Sequence, residues 1–374
     1  MKKKLLIFHP ALAPYLIDQF NALNKLVDLE VVFIFDNVWN HKFDQNKLLS
    51  QVEFKVSFML TGIRYKGRVF RFGMLKKIKN VNPDVVLGYE YSFTTQYLIL
   101  LSRLGIIKQK IGSTIDDSID ICNNVQSKAR YFARKMAVKR LDYLVVFTNE
   151  VSKYYQDTFN LKDNQVIVSP ILQEPARLRN NSEELERIAV QYSQNYNLKG
   201  KRVLLFVGRF IPEKGLKEFI EKIYKILLEQ DESVIIFVGD GEEKKFIENF
   251  VVENQLENKI LLPGRFEGLE LYAWYLSASG FVLPSTYEPY GAVVNEALIF
   301  GLKVLCSKFA GSFNLVGENG MIFNPLDVED TIDKYTDFMN SIIPLEGIKL
   351  VDKPMLMTNN QNDFIKEWGK IIYA

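Results

Sequence analysis

The chain has 374 residues, 48% of them hydrophobic and 25% charged, with a formal net charge of +2. That length exceeds what one hydrophobic core fills and points to two domains, while the near-balanced charge excludes the broad basic field that would argue for a nucleic-acid partner. Two cysteines, Cys122 and Cys306, and two histidines, His9 and His41, offer neither a disulfide framework nor a histidine-rich metal site and fit a reducing compartment.

The opening MKKKLLIFHPALA mimics a secretory signal, but its apolar run LLIF stops at His9 and Pro10. A signal core needs ~7–15 apolar residues, so the segment reads as a buried first strand. No run approaches the ~18 apolar residues of a membrane span. KLLIF (4–8) leads to a helix over 13–26, then to strands at 29–35, 52–59, 84–89 and 141–147, with helices over 69–81, 92–104 and 125–140 between them. Strands alternating with helices imply parallel βαβ units, and near-continuous Val/Ile/Leu runs imply strands covered on both faces.

After VIVSP (166–170) the chain turns polar, and QEPARLRNNSEELERIAVQYSQNYNLKG reads as a linker with a helical portion. A second alternation follows, with strands at 202–208, 233–239, 259–264, 280–285, 303–307 and 320–323. The expected organisation is an N-terminal Rossmann-like domain over 1–170, a linker over 171–199, a second such domain over 200–345, and a segment 346–374. In that last segment Phe364, Trp368 and Ile371 recur at helical spacing. Two such halves are expected to face each other across a cleft, with ligand groups just after the strands, since open α/β sheets bind ligands at the carboxyl ends of their strands.

Four strand ends carry candidate chemistry. In VGRFIPEKG, Gly208 is followed by Arg209, a planar donor fork suited to phosphate, and Lys214 adds a point charge near a helix start. Together they could offset most of a diphosphate's charge without a metal, though two solvated loop cations would give the same letters. In VGDGEEKKF, Gly239-x-Gly241 resembles the start of a dinucleotide fingerprint, but Lys244 stands where the third glycine belongs, so that match fails and the glycines shape a tight turn. In LPGRFEG, Gly264, Arg265 and Phe266 form a turn able to hold a flat base, or an ordinary loop.

The fourth is PSTYEPYGAVVNEALIFG, where Glu288 and Glu296 sit among apolar and small residues. A buried carboxylate needs a partner or water. Pro289 suits a first helical turn, so a helix is expected from 289–291, with Glu288 at its mouth and the amides at Gly291 and Ala292 free for an anion or sugar oxygen. Glu296 lies about 7.5 Å further along the axis. Carboxylates accept well from hydroxyls, so a ligand with many hydroxyls and a diphosphate, a nucleotide sugar, suits the set. A dipole-favoured charge at the helix start and an exposed helix position are the plainer readings of Glu288 and Glu296.

Taken in order, GRFIPEKG, VGDGEE, PGRF, PSTYEPYGAVVNEALIFG and FNPLD (323–327) resemble the retaining glycosyltransferases of family four, of group 1 type, which have the GT-B fold. The resemblance covers roughly 200–330; the first half matches only in pattern, through PDVV and RLDYLVVFTNEVSKYY. It implies that Arg209 and Lys214 bind the diphosphate, Glu296 the ribose hydroxyls and Glu288 the donor sugar. Amides at Tyr290, Gly291, Ala292 and Val293 would meet the distal phosphate and sugar, with Gly208, Gly239, Arg265 and Phe266 lining the donor site. It further implies no metal and no cofactor beyond the donor, UDP-linked in preference to GDP-linked, and a last helix that crosses back to the first domain.

The chain departs from the family by HPALAPY after the first strand, where many members carry Gly-Gly. It also lacks a histidine in IGSTIDDSID (111–120), which leaves His9, Ser113, Asp116 and Asp117 as N-domain candidates. The expected function is transfer of a sugar to a glycan or lipid-linked acceptor, in surface polysaccharide synthesis in the cytoplasm. A sugar-nucleotide epimerase of the same fold and a non-catalytic nucleotide-sugar binder are the alternatives. The basic, aromatic stretch SKARYFARKMAVKR (127–140) fits docking on an anionic membrane face or a solvated helix surface.

Overall fold

The computed structural model describes residues 2–38, 42–65, 68–124, 128–357 and 361–373; His41 and the first three residues of the helix expected over 125–140 lie outside them. The chain divides into two compact units, Met1–Gln173 with Asn359–Ala374, and Glu174–Thr358.

Unit 1 is built on a seven-stranded sheet in the order Lys55–Phe58, Asp28–Phe33, Lys4–His9, Val85–Tyr89, Lys110–Thr114, Tyr143–Val146, Val166–Val168, every pairing parallel. Side chains on a strand alternate between faces. Leu5 and Ile7 accordingly enter one core, with Val85 and Leu87, while Leu6 and Phe8 enter another on the opposite face, with Val86. This double coverage explains the unbroken apolar runs.

The C-terminal helix Gln361–Ile372 belongs to unit 1 and buries Phe364, Trp368 and Ile371 in the first of these cores. It also shields the edge strand Val166–Val168: Val168 N donates to Glu367 Oε2 at 2.9 Å, and Lys370 Nζ to the Val166 carbonyl at 3.1 Å. An edge strand left open is a template for unwanted pairing.

Two local expectations fail in unit 1. The helix expected over 69–81 begins only at Met74, because Gly62–Tyr65 and Arg68–Arg71 pair as an antiparallel hairpin and Gly73, at φ 94°, starts the helix Met74–Val81. Strand Lys110–Thr114 was not anticipated, since KIGST carries little apolar signal. Gly112 sits where a Cβ would come within 2.6 Å of both Leu87 Cδ2 and the Tyr143 carbonyl, so close strand packing selects glycine.

Unit 2 is a six-stranded parallel sheet ordered Ile260–Gly264, Ser233–Val238, Arg202–Val207, Gly280–Leu283, Lys303–Ser307, Gly320–Phe323. The stretch read as a linker over 171–199 is different in kind. From Glu174 it is part of unit 2, as helices Pro175–Leu178 and Ser182–Asn195. Leu178, Leu185, Ala189 and Leu198 are wholly buried there, and Tyr192 stacks on Trp274 with ring centroids 4.2 Å apart. The polar letters lie on the outer face of an amphipathic helix, which composition alone does not separate from a linker. At the other end, Leu350 and Met357 still belong to the unit 2 core.

Candidate functional site

Strand order brings the candidate loops of unit 2 together. Arg202–Val207 and Gly280–Leu283 are neighbours in the sheet, so the loops after them, at 208–215 and 284–291, emerge side by side. The first contains a short 3-10 turn, Pro212–Lys214, ending at Gly215. Gly215 has φ 64°, and a Cβ there would lie 2.5 Å from the Pro284 carbonyl oxygen. The Glu213 carbonyl accepts from the amides of Thr286 at 2.9 Å and Tyr287 at 3.2 Å. These backbone bonds set Lys214 against Glu288: their side chains form an ion pair, and both are largely withdrawn from solvent. The partner that a buried Glu288 requires is therefore Lys214.

Beyond Glu288 the chain stays extended longer than expected. Glu288 bridges Ala310, Gly311 N donates to the Glu288 carbonyl at 3.1 Å, and Ser312 N to the Tyr290 carbonyl at 2.8 Å. This pairing holds Pro289 and Tyr290 out of the helix, which begins at Ala292 with Gly291, φ 93°, as its cap. The helix Ala292–Ile299 still presents the amides of Ala292 and Val293 at its start, where no intrahelical acceptor exists. Tyr290 is buried within this turn. Glu296, on the same helix, is half-buried, and its Oε2 accepts a 2.7 Å hydrogen bond from the Tyr275 hydroxyl. It is not an exposed helix position.

Arg209 is exposed and has no ion pair or hydrogen bond with any described residue. The backbone beneath it is tightly held: Gly208 N donates to the Val238 carbonyl at 3.0 Å and Phe210 N to the Asp240 carbonyl at 2.9 Å. Gly239 and Gly241 make this approach possible. A Cβ on Gly239 would fall 1.8 Å from the Gly208 carbonyl oxygen, and one on Gly241 2.3 Å from that of Phe210. Arg265 is ion-paired with Glu267, and Phe266 packs into an aromatic group with Tyr192 and Trp274, centroids 5.8 and 5.7 Å away. Phe266 is thus partly buried, packed against the core of unit 2.

In unit 1 the candidates gather at the carboxyl ends of adjacent strands. His9 is half-buried, ringed by Phe20, Phe33 and Tyr89, and its Nδ1 contacts the Ala11 carbonyl at 3.2 Å. Burial lowers its pKa to about 4, so it is neutral at pH 7. The Tyr89 hydroxyl donates to Asp116 Oδ2 at 3.1 Å, and the Asp116 amide donates to Glu90 Oε1 at 2.6 Å. Burial raises Asp116 to about 6; burial, then the charge of Asp116, raises Glu90 to about 8.

Glu90 escaped the sequence reading, although its place directly after strand Val85–Tyr89 was a usable signal. It occupies the left-handed region at φ 50°, unusual for a glutamate. Ser113 is buried and donates to the Glu90 carbonyl at 2.7 Å, a supporting part. Asp117 points inward: it pairs with Arg134 at 3.2 Å and accepts from the Tyr155 hydroxyl at 2.6 Å, so its carboxylate is engaged in the unit 1 core.

Among the described residues no group of three or more His, Cys, Asp or Glu is arranged to hold a metal ion, and no helix is long and apolar enough to cross a membrane.

Residues 191–345 match the family model for glycosyl transferases, group 1. The chain is 26% identical over 344 residues to MJ1178 of Methanocaldococcus jannaschii, an uncharacterized glycosyltransferase, covering 90% of this chain and 87% of that one. Among solved structures it is similar to Anabaena HepE in complex with UDP-glucose, with a TM-score of 0.67, 16% identity and 98% of each chain covered. It is similar also to WaaG, a glycosyltransferase involved in lipopolysaccharide biosynthesis, with a TM-score of 0.66, 15% identity and coverage of 99% of this chain and 100% of that one. The architecture is that of the GT-B glycosyltransferases, two Rossmann-like α/β units in one chain.

Proposed function

We propose, from the match of residues 191–345 to the family model for glycosyl transferases, group 1, that the chain is a glycosyltransferase of this type and moves a sugar from a nucleoside diphosphate sugar, UDP-linked in preference to GDP-linked, to a glycan or lipid-linked acceptor with retention at the anomeric carbon. The observation that carries this reading is the convergence in unit 2 of the 208–215 loop with Lys214, the Glu288 carboxylate and the Gly291-capped helix start. The likeness to HepE, solved with UDP-glucose, supports the donor class.

In this mechanism the bond from the anomeric carbon to the diphosphate breaks through an oxocarbenium-like state, and the main task is to stabilise charge on the departing phosphate. In this reading Arg209, Lys214 and the amides at 291–293 perform that task without calling on a divalent metal. Glu288 takes a donor-sugar hydroxyl and Glu296 the ribose. The Glu90–Asp116 pair in unit 1 would offer the acceptor substrate a protonated carboxyl donor at Glu90 and a carboxylate acceptor at Asp116.

Support for a lipid-linked acceptor comes from the helix Lys128–Val138, where Tyr131, Phe132 and Met136 are exposed in a basic sequence. Arg134 is turned inward to Asp117, so Lys135 and the aromatics would meet an anionic leaflet on the cytoplasmic side. The likeness to WaaG supports a role in surface polysaccharide synthesis. The decisive experiment is product analysis with a panel of sugar nucleotides, with and without membrane lipid extract. Free nucleoside diphosphate and a product retaining the anomeric configuration are expected; an epimerised nucleotide or binding without turnover overturns the reading. Failure to bind anionic vesicles at low salt overturns the membrane part alone.

A further inference from the structure

A carboxylate that receives a vicinal diol must be ionised and held in one orientation, since a mobile glutamate loses side-chain entropy when the ligand binds. Glu296 sits on an eight-residue helix, and its own rotamer freedom would be large without an anchor. One anchor comes from a different element. Tyr275, near the end of helix Leu269–Leu276, is wholly buried and donates its hydroxyl to Glu296 Oε2 at 2.7 Å, the length of a charge-assisted bond. Its ring is itself clamped between two others, Phe281 at 5.8 Å and 21° and Phe300 at 5.7 Å and 16°. Phe281 lies in the central strand Gly280–Leu283, and Phe300 directly follows the helix that carries Glu296. The hydroxyl position is therefore tied to the sheet and to the end of the same helix.

We infer that Tyr275 is a positioning residue that sets Glu296 for recognition of the ribose diol, and thereby determines the preference for ribonucleotide over deoxyribonucleotide donors. The inference rests on the reading of Glu296 as the ribose acceptor. Tyr275 has no exposed surface, so it acts through Glu296 and not on the nucleotide. Burial raises its pKa well above the ordinary value, so it remains a donor over the working pH range.

The test is calorimetric titration of UDP, 2′-deoxy-UDP and 3′-deoxy-UDP into the full chain and into Tyr275→Phe, Glu296→Gln and the double variant. GDP with its deoxy analogues replaces UDP if it is the tighter ligand. Tyr275→Phe removes one oxygen and keeps the stacked ring. It is expected to weaken UDP binding about tenfold while leaving the deoxy analogues nearly unchanged, so that discrimination collapses; the double variant is expected to lose no more than Glu296→Gln. Unchanged discrimination in Tyr275→Phe, with discrimination lost in Glu296→Gln, overturns the role of Tyr275 alone. Discrimination retained in Glu296→Gln, or binding of neither nucleotide by the parent, overturns the ribose reading itself. Should Tyr275→Phe fail to fold, Phe300→Leu keeps the hydroxyl and loosens its ring; the same loss in smaller measure is expected, and unchanged discrimination there also overturns the proposal.

Discussion

Lys214 and Glu288 are 74 residues apart in sequence and form an ion pair whose side chains are only 17% and 11% exposed. The pair is the meeting point of the two loops on which the donor site is proposed. It keeps a cation and a carboxylate, each with a proposed ligand of its own, from being buried without a counter-charge. Under the proposed mechanism an arriving diphosphate would give the lysine a second anion and leave the carboxylate to accept from a hydroxyl.

Removing one partner of such a pair is expected to be worse than neutralising it in place. Lys214→Met should destabilise unit 2 by about 2 kcal/mol, and Glu288→Gln by less, because the amide keeps an acceptor oxygen. Urea unfolding followed by tryptophan fluorescence checks the order; equal stability of Lys214→Met and the parent contradicts it.

Arg209 offers the opposite case. It is exposed and unpartnered among the described residues, so Arg209→Ala should change stability by no more than about 0.5 kcal/mol. Turnover should nonetheless fall by about 10²–10³, the scale of losing a preset donor to a developing anion. Sugar transfer near the parent rate by this variant would remove Arg209 from the mechanism.

Gly239 and Gly264 should respond differently to alanine although both have positive φ. At Gly239 the added carbon meets the Gly208 carbonyl at 1.8 Å, whereas at Gly264, φ 100°, nothing lies within 4 Å. Gly264→Ala should then cost about 1 kcal/mol of backbone strain. Gly239→Ala should cost more than about 2 kcal/mol and lower turnover, because the backbone under Arg209 must move. Comparable melting temperatures for the two variants would contradict this account.

The acid groups of unit 1 give a pH signature. Glu90 is raised to about 8 and Asp116 to about 6, so the folded state holds protons that the unfolded chain has released. Their stabilisation is complete below the ordinary carboxylate range and is lost as pH rises through the folded values. His9, lowered to about 4, acts with the opposite sign and only below its ordinary 6.5. Between pH 6.5 and 8 Glu90 is left as the main contributor of these three. The melting temperature of the parent minus that of Glu90→Gln should therefore fall as pH rises across that window; a flat or rising difference refutes the assignment.

Much of the architecture was legible from local pattern. All six strands of unit 2 and most of unit 1 were marked by apolar runs, because a strand covered on both faces has no choice but to be apolar. Misreadings fell where that logic lapses. KIGST forms a central strand with a glycine in place of a large side chain, since Gly112 must clear Leu87 and Tyr143. The helix Ser182–Asn195 looked like linker because only Leu185 and Ala189 of its residues are fully buried. Asp116 and Asp117 are adjacent in sequence yet differ in role: one lies in the Tyr89–Glu90 cluster, the other bonds to Arg134 and Tyr155 in the core.

The sequence by itself determined which residues follow which strands, and so placed Arg209, Lys214, Glu288 and Glu296 beside strand ends or on the helix after one. Only the tertiary structure decided who meets whom: that Lys214 pairs with Glu288, that Tyr275 holds Glu296, and that the last helix returns to the edge of the first sheet. Periodicity is written among near neighbours, where each residue's facing is set by backbone geometry. Partnership across tens or hundreds of residues depends on strand order, which here lays Arg202–Val207 beside Gly280–Leu283 and which no local run of letters encodes.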